Sequence, residues 1–142
     1  AYFENEASGV FQGDAAGIYL PQLDVTIPTA PAPFNLELTM ASIKKLEQLQ
    51  PKLLYYTHFG LVENAIDRLE KYRSQLELWA SVVSAAVKRG DTEDNVYEQI
   101  LEHDPQMKTA IDFITKHLVL REGVLMQNIQ GYVDYFKRKL PA

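Results

Sequence analysis

Two stretches of the sequence decide how its first half should fold: Gly9-Val10-Phe11-Gln12-Gly13-Asp14 and Lys52-Leu53-Leu54-Tyr55-Tyr56-Thr57-His58-Phe59-Gly60. In each, a short apolar run leads into a turn that contains glycine, which predicts a strand ending at that turn. The first turn carries the carboxylate of Asp14, and the second carries the imidazole of His58, 44 positions later (58 − 14). Both groups are common metal ligands, so we expect two ligands to converge on one rim of a sheet.

The sequence around these stretches predicts short strands and one helix. Residues 1–12 are typical of a β-hairpin, and Leu23 to Ile27 alternates apolar and polar side chains as a short strand does. The prolines within residues 26–33 predict an extended connection, either a loop that lines a site or a plain linker. A helix is expected from Leu36 to about Leu49, stopped by Pro51.

The second half has helical periodicity throughout. One apolar seam recurs at alternating steps of four and three residues, which predicts a long helix from Leu61 or Val62 to Arg89, ended by Gly90. We expect the seam residues to be core rather than a cofactor site. They are Ala65, Leu69, Tyr72, Leu76, Trp79, Val83 and Ala86.

Three shorter helices should follow. Asp91 or Thr92 can cap the first of these helices. Asp104 can be the N-cap of the second, with Pro105 as its first helical residue. The last helix should run from about Glu122 to Leu140. We therefore predict a mixed α/β (α+β) chain in which helix predominates. Its β-containing domain should occupy residues 1–60, and residues 61–142 should form an antiparallel helical bundle or a long arm folded on itself.

Composition narrows the classes of partner. The net charge is −5 over 142 residues, which argues against binding a nucleic-acid backbone. Cysteine is absent, so disulfides and thiolate metal sites are excluded, and no apolar stretch is long enough to predict a membrane span. We expect a cytoplasmic protein that binds neither nucleic acid nor membrane. Because the chain starts with Ala1 inside a predicted strand, we also expect it to be an excised or processed piece.

At residues 11–17 and 55–60 the chain resembles the metallo-β-lactamase-fold hydrolases, and more narrowly their glyoxalase II-like branch. In that superfamily a strand and a Gly-Asp turn supply an aspartate that bridges two metal ions. A later strand ends in a turn whose histidine completes the second metal site. The resemblance covers roughly residues 1–60 and implies that Asp14 and His58 are those ligands.

The resemblance also implies what is missing. The superfamily's main signature, His-x-His-x-Asp-His, lies upstream of the aspartate, and no histidine precedes Asp14 here. The chain thus resembles the C-terminal half of the αββα sandwich, followed by a helical extension. The parent would be a zinc-, iron- or manganese-dependent hydrolase that uses metal-activated water on a thioester, ester or related bond.

The fragment alone should neither hold a metal ion stably nor catalyse hydrolysis. Asp14 and His58 give at most two ligands, so we expect no stably bound metal and no catalysis by this chain by itself. Tyr19 is a candidate substrate-binding residue, with packing as the simpler alternative. His103 is expected at the surface and His117 in the last turn of its helix, where a cation is favoured. We expect neither to be a ligand, because neither has a metal-ligand partner one helical turn away.

A second interpretation belongs to a different class. The chain could be a non-catalytic helical module for interaction or dimerisation, in which Asp14 and His58 are ordinary turn residues. The two interpretations share one expectation. A half-sheet without its upstream partner would expose an apolar face and a free edge, so we expect a homodimer or higher oligomer.

Overall fold

The computed structural model describes residues 2–13, 15–56, 60–116 and 122–141. About 60% of them are helical, which confirms the predicted mixed class with helix predominating. In chain order the strands are β1 Tyr2–Glu4, β2 Gly9–Phe11, β3 Ile18–Leu20, β4 Val25–Ile27, β5 Leu53–Tyr56 and β6 Gly60–Val62. The helices are α1 Leu36–Gln48, α2 Ala65–Arg89, α3 Glu93–His103, α4 Pro105–Lys116 and α5 Glu122–Lys139.

The strands form one sheet of four and one hairpin. The sheet has the order β1-β2-β5-β6, in which only the central pair, β2 and β5, is parallel. Strands β3 and β4 form a separate antiparallel pair. The predicted N-terminal hairpin is confirmed, and the strand predicted from Leu23 is present as β4. Strand β3 was not predicted, although Ile18-Tyr19-Leu20 is an apolar run of strand length.

The sheet of four has one buried face and one exposed face. The register places Val10, Leu54 and Val62 side by side, and all three are buried. On the other face the same register aligns Phe11, Tyr55 and Leu61, of which Phe11 is 46% and Leu61 51% exposed. We call these three residues the outer sheet face.

The prediction that α2 begins at Leu61 or Val62 is wrong. Those residues form β6, whose backbone pairs with β5 and whose Val62 side chain fills the buried face of the sheet. The helix starts at Ala65 instead, and its predicted end is confirmed, because Gly90 adopts φ +79° directly after Arg89. Every residue of the predicted seam is at most 1% exposed.

The chain forms two compact units. Unit 1 comprises residues 1–29 and 37–75, and unit 2 comprises residues 30–36 and 76–142. Unit 2 contains the end of α2 and helices α3, α4 and α5, with α3 in contact with both α4 and α5. The domain boundary between residues 60 and 61 stays a prediction. No helix in the described ranges is long and apolar enough to cross a bilayer.

Candidate metal-binding rim

The strand ends that precede the two predicted ligands lie side by side. Strands β2 and β5 are parallel neighbours, so both end at the same edge of the sheet. Phe11 pairs with Tyr55, and just beyond them the Gln12 N–H donates to the Tyr55 carbonyl at 3.4 Å. Asp14 and His58 themselves lie outside the residues that the structure describes.

A concavity of about 350 Å³ opens at these strand ends, which we call the rim. Part of its wall is the stacked pair Phe11 and Tyr55, with ring centroids 4.3 Å apart and planes 10° apart. Gly13, just after β2, and Gly60, the first residue of β6, both line it. Its lining residues are Phe11, Gly13, Tyr55, Tyr56, Gly60 and Leu61.

The turn after β2 is held by a residue that the sequence analysis did not single out. Gln12 is 2% exposed, and its Oε1 accepts from the Ala16 N–H at 2.6 Å. Its Nε2 donates to the Gly17 carbonyl at 3.4 Å. Gly17 has φ +83°, and a Cβ there would lie 2.7 Å from the Ile27 carbonyl oxygen. The sequence signal for this anchor is only its position, a glutamine directly before Gly13-Asp14 whose amide can reach backbone groups four and five residues later.

Tyr19, the predicted substrate-binding residue, lies in β3 and is 9% exposed. Its hydroxyl donates to Asp24 Oδ1 at 2.8 Å, and the Arg68 guanidinium lies 5.0 Å from its ring centroid. Burial, followed by the bond to Asp24, raises the pKa of Tyr19. Arg68 is 4% exposed and forms an ion pair with Asp24. Tyr19 therefore belongs to a polar cluster, and its role toward a substrate stays a prediction.

Tyr56 connects this cluster to the rim. Its ring centroid lies 5.3 Å from that of Tyr19, and it is the last residue of β5 before the predicted ligand turn. Its hydroxyl is buried and has no hydrogen-bond partner in the described part of the chain. Burial raises the pKa of Tyr56, so the phenol stays protonated at neutral pH. The Tyr56 hydroxyl is thus a neutral hydrogen-bond donor that is buried rather than exposed at the surface of the rim.

No group of three or more His, Asp or Glu side chains in the described ranges could hold a metal ion. His103 is exposed at the end of α3, as predicted, and its Nδ1 lies 3.0 Å from the Gln99 carbonyl oxygen. His117 lies outside the described residues. Asp14 and His58 stay the predicted donors, and they are fewer than the three protein ligands of a catalytic zinc.

Comparison with known proteins gives a distant, partial link to the metallo-β-lactamase fold. A metallo-beta-lactamase fold-containing protein of Sulfurisphaera tokodaii is 35% identical over 75 residues. The match covers 51% of this chain and 28% of that protein, so the chain spans less than a third of this curated relative. No family model matches the chain, and no solved structure matches it.

Proposed function

We propose that this chain is the C-terminal part of a metal-dependent hydrolase of the metallo-β-lactamase superfamily and supplies two metal ligands, Asp14 and His58. The observation that carries the proposal is the parallel pairing of β2 and β5, which puts the beginnings of both ligand turns at one rim. The partial match to a protein of this fold supports the same assignment. The ions would be zinc, iron or manganese, and the substrate a thioester, an ester or a related bond.

The chain by itself does not complete such a site. Two donors on separate turns leave at least one protein ligand to be supplied from elsewhere, which in the whole protein would be the upstream histidines. The chain's own contribution at the rim would be to hold the first ligand turn through Gln12 and to exclude water with the apolar wall of Phe11 and Tyr55. We therefore expect no hydrolase turnover from the 142-residue chain alone.

The apolar character of the outer sheet face indicates what kind of partner would cover it. Phe11 and Leu61 each expose about half of their surface on adjacent parts of one sheet face, where an apolar cover is favourable. In the whole protein, the upstream half of the domain would supply that cover. In the 142-residue chain, we expect a second copy to occupy the face and give a homodimer.

The metal assignment is tested by measuring metal content and zinc affinity of this chain beside a protein extended upstream through the His-x-His-x-Asp-His motif. The longer protein should bind about two metal ions and the short chain none. In the longer protein, Asp14→Ala and His58→Ala should each weaken zinc binding by at least about 100-fold, because each removes a donor to the ion. Circular dichroism spectra of each variant report whether the fold is kept.

The matched control is His103→Ala, which removes an exposed imidazole far along the chain from the rim sequences. It should leave metal content and affinity unchanged. A longer protein that binds no metal would overturn the proposal, and so would a His103→Ala variant that loses as much affinity as His58→Ala.

A further inference from the structure

Residues 30–34, Ala-Pro-Ala-Pro-Phe, interrupt unit 1 and belong to unit 2. Two of the five residues are prolines, which lack an N–H and cannot join a regular strand ladder. Ala30 is nevertheless fully buried and Phe34 is 6% exposed. A buried segment without secondary structure must find partners for its backbone groups outside the usual ladders.

Helix α5 supplies those partners. Asn128 Oδ1 accepts from the Ala30 N–H at 2.7 Å, and Arg138 Nη2 donates to the Phe34 carbonyl at 2.7 Å. One polar bond thus holds each end of the segment. Both contacts involve its backbone atoms.

The middle of the helix fits the segment by shape. At Gly131 an added Cβ would lie 1.7 Å from the Ala30 carbonyl oxygen, so only glycine permits this approach. The Phe34 ring lies 4.7 Å from the Tyr132 ring and 6.1 Å from the Tyr135 ring, measured between centroids. Steps of three and four residues place the contacting positions on one helix face. They are Asn128, Gly131, Tyr132, Tyr135 and Arg138, which we call the α5 groove.

We propose that the α5 groove is a recognition surface for an extended, proline-containing peptide that ends in an aromatic residue, and that the chain fills it with its own residues 30–34. The segment is then a clasp rather than a free loop. It fixes the connection between β4 and α1 against α5. This connection lies between Asp14 and His58 in the sequence. Asn128 and Gly131 act as positioning residues for this connection.

Hydrogen exchange of the 142-residue chain, followed by mass spectrometry, tests the clasp. Gly131→Ala should accelerate exchange in residues 29–36 by at least about tenfold, because the new methyl group displaces Ala30. Asn128→Ala, which removes one acceptor and adds no bulk, should accelerate the same region by roughly two- to tenfold, the effect of one lost hydrogen bond. Exchange in α3 should stay within about twofold of the original chain.

Gly123→Ala is the matched control, since a Cβ at this other glycine of α5 meets nothing within 4 Å. It should leave exchange in residues 29–36 unchanged. If Gly131→Ala fails to fold, Asn128→Ala carries the test, with the rate of chymotryptic cleavage after Phe34 as a second measurement. Unchanged exchange and cleavage in Asn128→Ala would overturn the clasp, as would an acceleration of equal size in α3.

Discussion

At the scale of single residues, the cluster of Tyr19, Asp24 and Arg68 shows how contacts distant in sequence decide chemistry. The sequence made Tyr19 a candidate substrate-binding residue, with packing as the alternative, and in the structure its hydroxyl donates to Asp24. The hydrogen bond from Tyr19, followed by the charge of Arg68, lowers the pKa of Asp24. Arg68 lies 44 positions from Asp24 (68 − 24), so no local pattern could reveal this pair.

Asp24→Asn should therefore reduce stability in a pH-dependent way. A carboxyl group whose pKa is lower in the folded state stabilises the fold above its unfolded pKa of about 3.9, and that contribution is lost as the pH falls through the folded pKa. We expect a loss of about 1–2 kcal/mol in the free energy of unfolding at pH 7, limited by the exposure of Asp24, and a smaller loss near pH 2.5. Urea titrations at both pH values measure it.

Asp24→Asn should introduce no backbone strain, because asparagine tolerates the φ of +51° at position 24. Asp67→Asn, which removes an exposed partner of Lys71 on α2, is the control and should cost less than about 0.5 kcal/mol. An equal loss for Asp24→Asn at pH 7 and pH 2.5 would contradict the assigned ion pair.

At the scale of elements, the α3–α4 junction shows what local sequence determines well. Asp104-Pro105 predicted an N-cap and first helical residue, and Asp104 Oδ1 indeed accepts from the N–H groups of Gln106 and Met107 at 3.0 and 3.3 Å. The other carboxylate oxygen accepts from Trp79 Nε1 at 2.8 Å, which fastens this junction to α2. Trp79 and Asp104 are 25 positions apart in the sequence, so local capping patterns could not predict this second bond.

Asp104→Ala should lower the free energy of unfolding by about 2–4 kcal/mol, because it removes the cap and leaves the buried indole N–H without an acceptor. Asp104→Ser keeps a capping oxygen and should lose only about 1–3 kcal/mol. Urea unfolding followed by fluorescence of Trp79, the one tryptophan in the sequence, measures both. Equal stability of the two variants would mean that the cap contributes nothing at this junction.

At the scale of the whole molecule, the outer sheet face is the feature on which oligomeric state should depend. Leu61→Lys puts a charge on that face, and burying a charge without a partner is costly. We expect the proposed homodimer to weaken by at least about tenfold in dissociation constant, or 1.4 kcal/mol. Light scattering over a concentration series measures the mass of each variant.

Leu38→Lys is the control, since Leu38 is an exposed leucine, at 67% exposure, that belongs to α1 and not to the sheet. It should leave the dimer intact. A monomeric mass for the unmodified chain at every concentration would show that no second copy covers the outer sheet face.

The sequence by itself determined the elements that local chemistry controls. Periodic apolar spacing predicted α2 and its buried seam, although not the residue at which the helix starts. Gly90, Thr92 and Asp104 marked helix ends, because caps and stops act within a few residues. It also predicted the N-terminal hairpin and the strand leading to the second ligand turn. Strands β3 and β6 were not predicted. Ile18-Tyr19-Leu20 lacks the apolar–polar alternation that marks a strand, and Leu61 and Val62 also fit the spacing of the helical seam.

Only the tertiary structure decided what depends on long-range contacts. The parallel pairing of β2 with β5 ends both strands at one rim, and α5 holds the proline-containing segment. None of these contacts has a local signature, because each joins groups that become neighbours only when the chain folds back on itself. Local propensity therefore sets which elements form, and packing sets which side chains share a site.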